Sequence, residues 1–323
     1  MKAVMTGLIA LLIILMIVPI PPASDTVDPR TLPDLTGDFI QVGGIDLYVE
    51  EKGDRAPALI LLHGFAAGTF SWEPVVAELA EVGTVLAYDR PGFGMTPRPD
   101  PASLPVNWYR NDRAPELLIK LMDQKNITSA VLVGHSAGGT VALHTALLYP
   151  ERVQALVLEA PAIYTSGGLP SWLRPFLTFP PMDRLGPLFM RLVPRRADQL
   201  LEAAWYNPER IPEGTLDAYR RPLRVEDWDR GLWEVVKGNQ ALSLADELDN
   251  ITIPTLIITG DSDTIVSKDD SVRLGHALPS AEVTVFSQCG HLPHEEYPQR
   301  FTETVHDFLV RKSVIQPTSG AGH

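Results

Sequence analysis

Short apolar runs recur along the chain and alternate with stretches of helical spacing, and this rhythm limits the fold more than any other feature. "ALILLH", "TVLAYD", "AVLVG", "VQALVLEA" and "IPTLIITG" are continuous apolar runs, the pattern of strands buried on both faces. "DFIQV" and "IDLYVEE" flank Gly43-Gly44, a hairpin signature, and "AEVTVFS" adds a last strand. Between them, "SWEPVVAELA" (with Ser71 as its predicted N-cap), "RAPELLIKLMDQK", "AGGTVALHTALLYP", "SVRLGHAL" and "PQRFTETVHDFLVRK" read as helices. The alternation predicts an α/β fold: a mostly parallel eight-stranded sheet with helices on both faces.

One block breaks the rhythm. Residues 164–248 hold prolines, arginines and large apolar side chains but no convincing buried strand. They predict a helical cap over the carboxyl edge of the sheet. The remaining divisions are an N-terminal segment over 1–24, a polar, proline-rich linker over 25–37, a core over 38–163 and 249–312, and a flexible tail over 313–323.

The N-terminal segment carries no charge over residues 3–20, which is near the lower limit for a bilayer span. Two readings stand, a secretory signal and an uncleaved membrane anchor. Pro22 lies two before Ser24 and spoils a small-x-small cleavage site, which favours the anchor. Either reading puts the body outside the cytoplasm, membrane-anchored or secreted. There the sequons at Asn126 and Asn250 accept glycans if the source is eukaryotic. A net charge of −13 opposes nucleic-acid binding, which needs a basic face. The single cysteine, Cys289, allows no intramolecular disulfide and reads as a buried small residue.

"AVLVGHSAGGTVALH" places Ser136 between a buried strand and a helix, with Gly134 and Gly138 on either side. A sharp strand-to-helix turn needs such glycines, and it exposes a serine at a helix N-terminus. The N–H of Ala137 then becomes a donor to a developing oxyanion. A second donor is the N–H of Phe65 in "HGF", directly after a buried strand; His63 reads as a brace for that loop, not as an ionising group.

These pieces together resemble an α/β-hydrolase of the lipase, esterase and haloperoxidase-like branch. The matching motifs are "HGF", "YDRPGFG", "GHSAGG", "GDSD" and "CGHLPHEE", in that order, and they cover Phe39 to Lys312. The resemblance implies an acid after a late strand in a Gly-x-x-Asp pattern, which selects Asp263; Asp261 and Glu159 are rivals. It implies a base after the last strand, which matches Gly290-His291; His294 helps to shape the site or sits near the surface. The order Ser136, Asp263, His291 is the one expected of this fold. Asp89 and Arg90 tie loops together. An aspartate at position 136 would imply a dehalogenase or epoxide hydrolase, and serine stands there.

Metal and cofactor readings fail on pattern. "DSDTIVSKDD" has Ile265 and Val266 where a calcium loop needs a ligand and a glycine. His291, His294, Glu295 and Glu296 lie among prolines, with no helix to align a zinc pair. No phosphate-binding GxxxxGK[ST] or GxGxxG turn occurs, so no cofactor is expected. The predicted activity is cleavage of a carboxylic ester through an acyl-enzyme, with a small-molecule substrate of apolar, lipid-type character. The alternatives are a carbon–carbon bond hydrolase acting on a β-diketone-like substrate and a non-catalytic binding protein of the same fold.

Overall fold

The structure is a computed structural model and describes residues 20–164, 172, 174–240 and 242–316. The uncharged N-terminal run up to residue 19 and the tail from 317 onward lie outside the described residues. Among the described residues no helix is long and apolar enough to cross a membrane.

Eight strands form one sheet: β1 (Asp38–Val42), β2 (Ile45–Lys52), β3 (Ala58–Leu62), β4 (Thr84–Tyr88), β5 (Ala130–His135), β6 (Val153–Glu159), β7 (Thr255–Gly260) and β8 (Ala281–Phe286). Their spatial order is β1-β2-β4-β3-β5-β6-β7-β8. The pairs β1/β2 and β2/β4 are antiparallel, and every other pair is parallel. Gly43 and Gly44 turn the first hairpin with φ of +59° and +86°, as a two-residue primed turn requires.

Helices α1 (Glu73–Val82), α2 (Ala114–Gln124) and α3 (Ala137–Leu148) follow β3, β4 and β5. The segment between β6 and β7 holds α4 (Arg174–Leu177), α5 (Pro180–Met190), α6 (Ala197–Ala204), α7 (Thr215–Arg220) and α8 (Trp228–Gly238). Helices α9 (Lys268–Ala277), α10 (Pro293–Glu296) and α11 (Pro298–Arg311) complete the chain. Ser71 does not cap α1: a 3-10 turn over Thr69–Trp72 precedes that helix, and the Ser71 hydroxyl donates back to the Gly68 carbonyl at 2.9 Å.

Successive strand residues point to opposite faces, and both faces are buried. Ile60, Leu62, Leu132, Leu156 and Ile257 meet Leu118, Leu121 and Val141 of α2 and α3 on one face. Leu59, Leu61, Val133, Val157 and Ile258 meet Leu79, Phe301 and Phe308 of α1 and α11 on the other. This is why the central runs are apolar without alternation. Each such side chain contributes about 1.5–3 kcal/mol by leaving water.

The polar stretch read as a linker is held at several points. Val27 exchanges backbone hydrogen bonds with Arg224 and Glu226 beside α8. Leu32 packs with Tyr48, Met95 and Val225, and the Tyr48 hydroxyl accepts the N–H groups of Thr36 and Gly37. At the other end, Val314 and Ile315 pack against the α1–α11 face, so the segment read as a flexible tail begins attached to the core.

Candidate active site

Strand β5 delivers Ser136 to the carboxyl edge of the sheet, and α3 begins at the next residue. The backbone there is forced: Ser136 has φ +51° and ψ −115°, a conformation that side chains rarely adopt. The surroundings hold it in place. The Ser136 N–H donates to the Glu159 carbonyl at 2.8 Å, and its own carbonyl accepts from Thr140 and Ala162. Glycine at 138 is a packing necessity, since a Cβ there would lie 1.9 Å from the Leu62 carbonyl oxygen.

The loop after β3 closes over the same turn. A Cβ on Gly64 would lie 3.5 Å from the Ser136 Cβ and 2.6 Å from the His135 ring, so only glycine fits. His63 is fully buried, and burial beside Arg90 holds its imidazole well below the usual range. The Arg90 N–H donates to His63 Nε2 at 3.0 Å, so the ring proton sits on Nδ1 and faces the Gly64 carbonyl at 2.7 Å. The Arg90 guanidinium donates to the carbonyls of His63 and Gly64. Asp89 accepts the N–H groups of Thr69 and Met95 at 2.6 and 2.5 Å. With these ties the loop holds Gly64 against Ser136, while the Phe65 ring is exposed and packs edge-on against Phe93. Neither the Phe65 nor the Ala137 N–H has an acceptor among the described residues.

The loop after β8 supplies His291. Its Nδ1 lies 2.8 Å from Asp263 Oδ2, and the Asp263 side chain is fully buried. The other Asp263 oxygen accepts the N–H groups of Ile265 and Val266 at 2.8 and 2.9 Å. A carboxylate acceptor at Nδ1 leaves the lone pair on Nε2, the arrangement of a general base. Asp261, the local rival, is exposed and bonds the neighbouring Ser262 hydroxyl. Among the described residues no hydrogen bond joins Ser136 to His291; His135, the residue before Ser136, is the one that meets His291. The His135 and His291 ring centroids are 4.7 Å apart, and His135 Nε2 lies 3.0 Å from the His291 carbonyl. Burial drives His135 well below the usual imidazole range, so it is neutral and donates from Nε2.

A family model described as alpha/beta hydrolase fold matches residues 57–298. The chain belongs to the α/β-hydrolase family. Among its curated relatives, the 2-hydroxymuconate semialdehyde hydrolase of Pseudomonas sp. (strain CF600) is 30% identical over 288 residues, covering 87% of this chain and 96% of that protein. Two solved structures share the fold. A putative lipase from Acinetobacter baumannii AYE superposes with a TM-score of 0.70 at 24% identity, over 90% of this chain and 99% of that one. The epoxide hydrolase CorEH superposes with a TM-score of 0.70 at 21% identity, over 85% and 99%.

The hydrolase carries a second imidazole–carboxylate pair that its sequence only half discloses. His294 is fully buried, not near the surface, and its backbone N–H and Nδ1 both engage Glu159 Oε1, at 2.8 and 2.9 Å. Burial pushes His294 down, and the Glu159 carboxylate outweighs it, so the imidazole titrates above its usual range. Glu159, the rival acid, is therefore held by His294 and is not beside His291. Glu295 accepts the Tyr219 hydroxyl of α7 at 2.7 Å, and burial raises its carboxyl to about 6. Cys289 is buried, and burial near Glu296 raises its thiol far above the usual range.

The cap reaches both loops of the site. The Ala204 carbonyl at the end of α6 accepts the His291 N–H at 2.6 Å, and the Ala203 carbonyl accepts the Thr264 hydroxyl at 3.0 Å. Glu296 joins the Gly290 N–H to that of Tyr206. A cleft of about 1030 Å³ elsewhere along the cap is lined by Glu50, Thr69, Phe70, Arg221 and Arg224, and by none of Ser136, Asp263 and His291.

Proposed function

We propose that this hydrolase cleaves a carboxylic ester through an acyl-enzyme formed on Ser136. The reading is supported by one arrangement: a conformationally forced serine at a helix N-terminus follows His135, whose ring lies 4.7 Å from the His291 imidazole, and the Nδ1 of His291 is held by a buried carboxylate. His291 takes the Ser136 proton on Nε2, Asp263 steadies the imidazolium, and the hydroxyl oxygen attacks the ester carbonyl. The N–H groups of Phe65 and Ala137 hold the oxyanion; each such donor contributes about 3–4 kcal/mol to the transition state. His291 returns the proton to the leaving alcohol, and water, activated by the same imidazole, releases the acid. Exposed aromatic and aliphatic residues on the cap, with the uncharged run over residues 3–20, support a substrate with an apolar acyl or alcohol part and a membrane-associated, extracytoplasmic enzyme.

Likeness to the 2-hydroxymuconate semialdehyde hydrolase favours a second reading, in which the same residues cleave a carbon–carbon bond of a β-diketone-like substrate. Assays with p-nitrophenyl esters of graded chain length, run beside 2-hydroxymuconate semialdehyde, separate the two. The ester reading expects hydrolysis that rises with chain length and labelling of Ser136 by a fluorophosphonate. No ester hydrolysis at any length, with loss of the semialdehyde, establishes the second reading. A folded protein inert to substrates and probe alike is a binding protein.

A further inference from the structure

Helix α5 is locked on one side and bare on another. Gly186 sits against Trp233 of α8 so closely that a Cβ would lie 2.0 Å from the indole. Asp183, one turn earlier, accepts from Trp233 Nε1 at 3.0 Å and from Lys237 at 2.5 Å. With that side fixed, Leu185, Leu188, Phe189 and Leu192 follow the i, i+3, i+4, i+7 spacing of an apolar stripe, and they face away from α8. Such a stripe ordinarily enters a core. Here Leu188, Phe189 and Leu192 are 37%, 48% and 52% exposed, and Phe176 and Phe179 just before α5 are 55% and 43% exposed.

The place where the chain arrives gives the patch a partner. The uncharged run over residues 3–20 ends near the C-terminal end of α5, where Leu192 lies: the Arg191 guanidinium, paired with Asp229 of α8 at 2.6 Å, also donates to the Pro21 carbonyl at 2.7 Å, and Ala23, like Met190 and Val193, packs against the cluster of Phe93, Trp228 and Leu232. Next to the stripe, "RLVPRR" sets Arg191, Arg195 and Arg196 within six positions of a chain whose net charge is −13. An apolar stripe followed along the chain by arginines, of which Arg196 is exposed, suits the boundary between acyl chains and lipid phosphates. The run itself is apolar on all sides, so laying it on the α5 stripe would leave most of its surface in water, whereas a bilayer covers both at once.

We propose that the cap face formed by Phe176, Phe179, Leu188, Phe189 and Leu192 rests in the interface of a phospholipid bilayer, which the chain enters at Ile20. This rests on the reading of residues 3–20 as membrane-associated. The cap then lies between the sheet and the lipid, and a lipid-derived ester leaving the bilayer meets the cap before the bulk solvent.

The test uses the full chain. Cys289 is buried, so a cysteine introduced by Leu188→Cys or Leu192→Cys takes an environment-sensitive fluorophore selectively. Leu148→Cys, 54% exposed at the far end of α3, is the control. The labelled proteins are reconstituted with phosphatidylcholine–phosphatidylglycerol vesicles containing doxyl lipids, and hydrolysis of a soluble ester checks that each is folded. Flotation with the vesicles, with quenching several-fold stronger at 188 and 192 than at 148, supports the proposal. Flotation with equal, weak quenching at all three sites overturns it and leaves the anchor standing. Absence from the floated fraction overturns the anchor and the proposal together. Probes already shielded in detergent, at every protein concentration, assign the face to the chain's own N-terminal segment. Shielding that grows with concentration assigns it to a second copy. Either result also overturns the proposal.

Discussion

His291 and His294 stand three residues apart, and each presents Nδ1 to a carboxylate from the end of a different strand. The chemistry of the two pairs is alike and their surroundings are not. Asp263 holds the imidazole of His291, whose ring packs against His135 next to Ser136 and whose Nε2 is the nitrogen we propose takes the proton. Glu159 holds an imidazole stacked at 4.4 Å on Trp72, with no hydrogen-bond partner at its own Nε2 among the described residues. A carboxylate-held histidine is therefore not a base by virtue of its partner; it needs an open second nitrogen and a nucleophile within reach. We read the outer pair as the one that moves protons and the inner pair as a fixed post between the β6 end and α10.

Replacement of the outer imidazole is the sharpest way to break this contrast. His291→Ala should lower turnover about 10⁴–10⁶-fold while thermal unfolding stays close to wild type. Steady-state kinetics and calorimetry on the same sample check both parts, and near-normal turnover would return the role to another residue. Asp263→Asn should follow with a loss of about 10³–10⁴-fold, because an amide can present its N–H to Nδ1 and favour the wrong tautomer. A retained rate there would mean that Glu159 serves His291 after all.

The two pairs also differ in how far the sequence disclosed them. Asp263 and His291 were legible because each follows a strand end in a short motif, and strand ends are fixed by apolar runs that only a buried strand explains. Ser136 was legible for the same reason: flanking glycines and a following helix leave few backbone paths. Glu159 was recognised only as a rival acid, and His294 was left between shaping the site and lying near the surface; burial removes the second alternative. Their pairing depends on how α10 lies against β6, a distance of 135 positions that no local pattern records. His135 went unremarked between the glycine and the serine, although a buried imidazole there ties the Ser136 turn to the His291 loop. The cap was read from an absence of strands, and nothing in its composition announced that the carbonyls of Ala203 and Ala204 would hold the loops of Asp263 and His291.

Breaking the inner pair should cost stability, not chemistry. Glu159→Gln leaves His294 buried without its charge partner, and losses of this kind run to about 3–5 kcal/mol. Urea unfolding should show a lower midpoint, while turnover per folded molecule stays within about tenfold of wild type. A collapse of turnover in a protein of unchanged stability would make Glu159 part of the chemistry and erase the distinction between the pairs.

The smallest effect is a pH dependence around the inner pair, where Glu159 and Glu295 face His294, and Glu159, Glu296 and Tyr219 face Glu295. His294 titrates above its unfolded value, so its contribution to stability is complete below about pH 6.5 and is lost as pH rises through the folded value. Glu295 acts in the same direction: its folded carboxyl titrates near 6 against an ordinary 4.5, so ionisation costs the folded state more than the unfolded one. That cost is absent below about pH 4.5, grows up to about 6 and is constant above, and the shift corresponds to roughly 2 kcal/mol. Glu295→Gln keeps an acceptor for the Tyr219 hydroxyl and removes the ionisation. The variant should match wild type near pH 4, exceed its stability at pH 8 by roughly that amount, and show a flatter profile between. Unfolding midpoints at those two pH values decide it, since a variant equally destabilised at both would show that Glu295 serves Tyr219 as a charged acceptor and that the inner cluster is held by ionisation rather than in spite of it.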